Sequence, residues 1–568
     1  METKRAIHVV LASPSDVAEE RDAFDDAIKM ANHVVSSLPV IFVPHRWEEV
    51  SPGYHPEGTQ ALIDSRLKIE QCDLLIGIFW KRFGMVDTQP YSRTAWEIVR
   101  AVEARKLNLT RPEIKIYFCN RYYRPSVKEL EEHTLVMKFK QELADTVLYE
   151  EYDEVVEFRT VLFRDLLEYL VRAKIIDAPA DPQLSLQVTS NPLLLRLEGL
   201  TELTPDLKLS LAGKVPFPWV GDLIHLNINV FPTSSVGNQS DEEGFSDIVL
   251  AGSEDGTPLA RARIGEGYSN AISFAGIGIT AKDSIINQDL WIRGIRSRNM
   301  PVAGQPLLAQ VAVTLTLPGK DREHTSILGP QSATLGLPVR STQFSVKQAS
   351  NEIKWSAKEE GPQVVSAFTV HFREAFPGAF KCRKEESGQT ADTAAHGDIL
   401  RVSGRYIPKH FDIFVTTSDL PFRGARSPVH QIRAIAKQID FRGRPLNQSL
   451  LESPLVWNSE WFYWESQTKQ VQMNTQIPLV RIDRTAYDVN STDCFEAGWE
   501  LVSNASLYED REFVFGFVLT GPDDLPLPEI FIQGMLAPEG SVMSPQGAHA
   551  VPCFRGTFDF VEILLGKR

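Results

Sequence analysis

Glu97 is the leading candidate for chemistry, in the stretch Ser92-Arg-Thr-Ala-Trp-Glu97-Ile-Val-Arg-Ala101. It enters a helical pattern that follows Asp73-Leu-Leu-Ile-Gly-Ile-Phe-Trp80 and the turn Lys81-Arg-Phe-Gly84. An almost unbroken apolar run of strand length, ending in a Gly-containing turn, reads as a central parallel strand delivering a loop. In open α/β sheets ligands sit beyond the carboxyl ends of such strands. A lone carboxylate there can stabilise or trap positive charge developing on a sugar carbon, the task of the second carboxylate in glycosidases. A Glu in a first helical turn is also favoured by the helix dipole alone, with no function required.

Other groups fall around the same edge. Ser13, Ser15 and Asp16 follow the first strand, where a turn and a helix N-terminus can hold a phosphate or a ribose hydroxyl. Helix capping explains them equally well, with Glu19 answering Asp16 as in a capping box. Trp80 and Phe83 can stack on a base and Arg82 can meet a phosphate, or the two aromatics simply end a buried strand. Trp47, beside Glu48, is a similar candidate on an earlier loop. The twelve histidines and five cysteines show neither metal-ligand spacing nor a nucleophile partner, so no metal, cofactor or hydrolytic triad is expected.

The elements that must position these groups alternate strand with helix. Residues 6–12 form a first strand, Val40-Ile-Phe-Val43 a second, and a helix through Leu62 and Ile69 leads to the central strand. Residues 114–118 give a fourth strand, 126–144 a helix, Val147 to Tyr149 a short fifth strand and 154–174 a final helix. This predicts one doubly wound α/β domain over residues 1–177. Prolines without helical period mark 178–192 as a linker. Beyond it apolar residues recur with period two, as in Ile224-His-Leu-Asn-Ile-Asn-Val230 and Val311-Ala-Val-Thr-Leu-Thr-Leu317, the pattern of sandwich strands. Two mainly-β, sandwich-like domains are expected, 193–345 and 346–568, the second with an insertion near 428–470 rich in Arg, Trp and Tyr.

With 568 residues, 43% of them hydrophobic, the chain can build several cores. A net charge of -15 argues against general binding to nucleic acid or an anionic membrane, because phosphate binding leans on clustered Lys and Arg. The most basic stretch is local, at residues 423–444. No secretory leader is visible at the N-terminus, and no apolar run approaches the roughly 20 residues of a membrane span. A cytoplasmic protein is the expectation.

Val9-Val-Leu-Ala-Ser-Pro-Ser-Asp-Val-Ala-Glu-Glu-Arg-Asp22, Arg46-Trp-Glu-Glu49 and Cys72-Asp-Leu-Leu-Ile-Gly-Ile-Phe-Trp-Lys-Arg-Phe-Gly84 occur in the order found in a bacterial family of TIR-like domains, related to Toll/interleukin-1 receptor domains. The first part of the chain resembles that family over about residues 5–120. The resemblance implies a flavodoxin-like fold and cleavage of NAD+, as substrate, at the nicotinamide-ribose bond, with Glu97 as the catalytic residue and Trp96 beside it. One anion suffices for this reaction, since the leaving group is already cationic. It further implies activation by self-association, as in bacterial anti-phage systems, with the β-region recognising an unknown ligand or protein. A non-catalytic assembly module and a ribosyl-transferring enzyme on nucleosides or nucleotides are the alternatives. Leu197-Glu-Gly-Leu-Thr-Glu-Leu203, Phe372-Arg-Glu-Ala-Phe-Pro-Gly-Ala-Phe-Lys381 and Ala497-Gly-Trp-Glu-Leu501 weakly resemble β-domains of bacterial surface and secreted proteins.

Overall fold

The structure is a computed structural model. It describes residues 4–46, 69–84, 91–108, 111–176, 184–197, 201–214, 223–238, 240–254, 256–265, 268, 270–280, 285–298, 300–318, 323–348, 353–355, 364–386, 397–421, 432–439, 450–465, 469–484, 494–503, 512–522, 529–536, 541–543, 550–552 and 559–564.

Five parallel strands form the N-terminal sheet: β1 (Arg5–Ala12), β2 (Val40–His45), β3 (Leu74–Phe79), β4 (Glu113–Cys119) and β5 (Tyr149–Tyr152), in the order β2-β1-β3-β4-β5. Every residue of β3 is buried, as expected for a central strand covered on both faces. On one face lie α1 (Ala18–Val34) and α4 (Val155–Arg172), on the other α2 (Arg93–Leu107) and α3 (Val127–Leu143). Helix α1 turns Phe24, Ala27, Ile28, Ala31 and Val34 inward at helical spacing. Helix α2 sits close on the sheet because Gly77 has no side chain: a Cβ there would lie 2.9 Å from Ile98 Cδ1 and 2.7 Å from Ile116 Cδ1. A capping box between Ser126 and Glu129 starts α3. Of the helix expected through Leu62 and Ile69, only Ile69–Gln71 lies among the described residues, as a short 3-10 turn.

Past residue 183 the chain is strand-rich. Leu184–Ser190, expected within the linker, is a strand of a ten-stranded sheet whose other edge is Leu193–Arg196. Leu184, Leu186 and Val188 supply the period-two face that the flanking prolines obscured. This sheet curls around an apolar core, Ser190 Oγ donating to Thr334 O on its ninth strand, and a three-stranded sheet of Ser235–Val236, Arg296–Arg298 and Thr201–Leu203 belongs to the same stretch of chain. The next unit does stack two sheets. A seven-stranded sheet and a five-stranded sheet share a core in which Trp499 lies on Phe515 with ring centroids 4.0 Å apart. Thr342–Gln348 already pairs with Val364–Glu374, so this unit begins ahead of residue 346. The stretch expected as an insertion carries sheet strands, Ala434–Lys437 and Leu451–Trp464. Trp457 there is fully buried.

The α/β unit is not held at arm's length. Phe231, Tyr268, Ala271, Ala312 and Ile327 of the first β unit join the same apolar cluster as α1 and α4. Phe163 meets Phe231 edge-on at 5.5 Å, and His33 Nε2 lies 2.6 Å from Ser273 Oγ.

Candidate functional site

Chain order reverses between β1 and β3, because β2 lies outside β1 and the remaining strands follow on the other side. Loops leaving adjacent strands at such a point diverge and open a crevice at the carboxyl edge of the sheet. The loops here are residues 13–17 and 80–84. Asp16 spans them: one carboxylate oxygen accepts the backbone N–H of Lys81 at 3.1 Å and of Arg82 at 3.0 Å. This differs from the expected cap. Helix α1 has Val17 as its N-cap and no side-chain cap, because the Asp16 carboxylate is turned to the neighbouring loop. Burial raises the Asp16 pKa above its ordinary value, opposed by these backbone donors and the Arg82 charge.

Arg21 fixes the first loop from behind, donating to Ser13 Oγ at 3.0 Å and to Pro14 O at 2.6 Å. Ser13 is buried, whereas Ser15 is exposed and accepts from Arg82 Nη1 at 3.3 Å. The second loop closes on α2 through Gly84, whose φ of +97° suits glycine. A Cβ at Gly84 would meet Ser92 Cβ at 3.4 Å and Pro14 Cβ at 3.9 Å, so three segments converge there. Ser92 caps α2, its Oγ accepting from Ala95 N at 3.3 Å.

Glu97 is the fifth residue of α2, not part of its first turn. The helix dipole fades beyond the first turn, so it does not account for a carboxylate here that is only 6% exposed. From Ser92 to Glu97 the helix rises about 7.5 Å. Trp96, half-buried, precedes it and donates its backbone N–H to Ser92 O.

Two aromatic candidates part ways. Phe83 is core, 4% exposed and packed among Phe79 and Phe139. Trp80 stays at the rim, half-buried, its Nε1 donating to Arg121 O at 3.1 Å. Lys81 Nζ lies 4.4 Å from its ring and the Arg121 guanidinium 4.7 Å, contacts of cation–π type. A planar ligand would have to displace one of these cations to stack on it. Trp47 lies outside the described residues.

The loop after β4, which the sequence reading did not single out, brings Arg121 and Tyr123 to this rim. Arg121 is paired with Glu19 at 2.7 Å and with Glu20, which is 1% exposed. Burial lifts the Glu20 pKa, and Arg121 counters it. Asn120-Arg-Tyr-Tyr-Arg124, directly after an apolar strand, was the available signal. The carboxyl edge thus presents Arg82 and Ser15 at the opening, a rim of Trp80, Lys81, Arg121 and Tyr123, and carboxylates behind. Among the described residues no group of three or more His, Cys, Asp or Glu could hold a metal ion, and no helix is long and apolar enough to cross a membrane.

A family model described as a domain of unknown function (DUF4062) matches residues 9–167, the α/β unit. No curated protein matches the chain. The C-terminal domain of the antigen I/II-family protein AspA of Streptococcus pyogenes is similar at 9% identity, covering 62% of this chain and 94% of that one, with a TM-score of 0.22. Domains D2 and D3 of the major pilin SpaD of Corynebacterium diphtheriae give 8% identity, 65% and 88% coverage, and a TM-score of 0.17.

Proposed function

We propose that the α/β unit is a TIR-like NAD+ glycohydrolase of a bacterial defence system, switched on by self-association, with the β-region as its sensor or partner-binding module. The observation that carries the reading is the pair of loops after β1 and β3, joined by Asp16 where the strand order reverses, with Glu97 buried on the helix that follows β3. The strand order 2-1-3-4-5 supports a flavodoxin-like reading, in which ligands sit at this switch point.

In this reading the diphosphate of NAD+ meets Arg82 and Ser15, and the nicotinamide riboside reaches toward Glu97. The C–N bond to nicotinamide breaks with its electron pair moving to the ring nitrogen, which leaves neutral. The Glu97 carboxylate stabilises the oxocarbenium-like sugar, and water then adds to the anomeric carbon and loses a proton. Fixed charge of this kind is worth most where water is excluded. Self-association is supported by α3, which turns Val136, Phe139 and Leu143 inward yet leaves Val127, Leu130 and Met137 80%, 56% and 49% exposed. The same face favours the second reading, a non-catalytic assembly module.

NAD+ consumption by the purified chain, with and without forced clustering, separates the two. Clustered wild type is expected to release nicotinamide, and Glu97→Gln to be slower by about a hundredfold to a thousandfold while assembling normally. Intact NAD+ in the clustered wild type, or an unimpaired Glu97→Gln, would leave only the assembly module standing.

A further inference from the structure

Glu20 is a carboxylate on a helix face that otherwise builds the core. It stands among the buried residues of α1, 1% exposed, with the Arg121 guanidinium as its partner. A buried ion pair is seldom more stabilising than apolar side chains of the same volume, so stability alone does not account for this one. What the pair fixes is the place of a guanidinium. Trp80 Nε1 donates to Arg121 O at 3.1 Å, and the guanidinium lies 4.7 Å from the Trp80 ring, next to the loop that carries Lys81 and Arg82.

The two carboxylates on Arg121 differ in accessibility. Glu20 is sealed beneath the guanidinium, whereas Glu19, 2.7 Å from Nη1, has a side chain that is 70% exposed. An exposed pair contributes little net free energy, because water solvates its partners nearly as well when they are apart. The contact with Glu19 is therefore exchangeable and the contact with Glu20 is not. A carboxylate oxygen and a phosphate oxygen make the same charge-assisted bond to a guanidinium, so Glu19 occupies the position that an anionic oxygen of a ligand would take.

We propose that Arg121 binds the diphosphate of NAD+, exchanging Glu19 for one of its oxygens while Glu20 holds the guanidinium in place. The inference rests on the NAD+ glycohydrolase reading of this site and adds to it a second arginine and a competitor built into α1. Because the entering group has to displace a carboxylate, the arrangement favours a diphosphate, with its two charges, over a monoanion.

The test follows binding of ADP-ribose to the clustered full chain by equilibrium dialysis. ADP-ribose carries the diphosphate but no nicotinamide, so a chain that does not cleave NAD+ still answers. Glu19→Gln is expected to tighten ADP-ribose by about threefold, since the competitor is gone. Arg121→Lys keeps a charge for Glu20, but one ammonium cannot serve Glu20 and the diphosphate together, and affinity should fall by roughly tenfold. Asp22→Asn makes the same change of charge at an exposed acid one turn further along α1. It should leave affinity nearly unchanged, which separates loss of a competitor from general attraction of an anion to a less acidic protein. If Arg121→Lys fails to fold, the exposed Glu19→Gln and Asp22→Asn still decide. A Glu19→Gln that leaves affinity unchanged or weakens it, as a purely structural pair requires, would overturn the proposal. So would equal tightening by Asp22→Asn, an unimpaired Arg121→Lys, or a wild type without saturable binding. Intact NAD+ alongside the expected affinity changes would overturn the glycohydrolase reading alone and leave the diphosphate site standing.

Discussion

Arg196 Nη1 donates to the Asp398 carboxylate at 2.9 Å across 202 residues of chain, and both side chains are buried. Arg196 also donates from Nε to Glu202 at 2.7 Å and from Nη1 to Ala379 O at 3.3 Å. One guanidinium on the edge strand of the curled sheet therefore ties the first β unit to the second. Buried ion pairs add little net stability over an apolar substitute, but removing one partner strands the others. Arg196→Met should lower stability by about 3–5 kcal/mol, read from denaturant unfolding of the full chain. Arg196→Lys should recover only part of it, since one ammonium cannot reach all three acceptors. A neutral Arg196→Met would mean that the two units are held by apolar contacts alone.

Asp16 acts through backbone, which separates its two possible roles. Asp16→Ala leaves the Lys81 and Arg82 amides without their acceptor, whereas Asp16→Asn keeps one in place. Hydrogen exchange at these two amides is expected to quicken about tenfold in Asp16→Ala, equivalent to roughly 1.4 kcal/mol of lost protection, and to change little in Asp16→Asn. Unchanged protection in Asp16→Ala would assign the loop geometry to Arg21 and Gly84 instead.

Much of the α/β unit was legible because its central strand is a continuous apolar run and α1 keeps one face apolar. The central strand, read as 73–80, is Leu74–Phe79, and the helix read as 126–144 is Val127–Leu143. Asp16 was not legible, since a capping residue and a loop bridge have the same local sequence and its partners lie 65 and 66 residues away. Phe83 misled for a related reason: an aromatic past a buried strand can turn to the rim or back to the core, and Phe139, which holds it in the core, is distant in sequence. In the β-region, period-two alternation located strands but carried no record of which would pair. The parallel pairing of Leu193–Arg196 with Glu323–Val339 is of that kind.

His371 gives the second β unit a pH dependence of definite sign. Its Nδ1 lies 2.6 Å from Glu512 Oε1 and its Nε2 3.0 Å from Thr369 Oγ1. Burial holds its pKa below the ordinary 6.5, with the Lys347 charge acting the same way and Glu512 opposing both. The unfolded chain therefore takes up the proton first as pH falls. Stability from this site is full above 6.5 and is lost as pH drops through the folded value. The denaturant midpoint of wild type relative to His371→Gln should thus be highest near pH ~7.5 and shrink toward pH ~5. A difference that grows on acidification would show that Glu512, not burial, governs the histidine.

The proposed self-association assigns a role to the outer face of α3, where Val127, Leu130, Thr134 and Met137 recur at helical spacing. Glu131 and Lys138 flank the same stripe seven residues apart, so two copies crossing antiparallel would set each Glu131 against the other copy's Lys138. Burying a Leu side chain is worth about 1.5–3 kcal/mol, and a two-fold contact counts it twice. Leu130→Glu should therefore raise the dissociation constant of the assembly by roughly a hundredfold or more, measured by sedimentation, while leaving the monomer folded because the position is exposed. Glu131→Lys should also weaken assembly, and adding Lys138→Glu should restore it, the signature of a pair that meets across the interface. An assembly that survives Leu130→Glu, or a charge reversal that the second reversal does not rescue, would move the contact to another face.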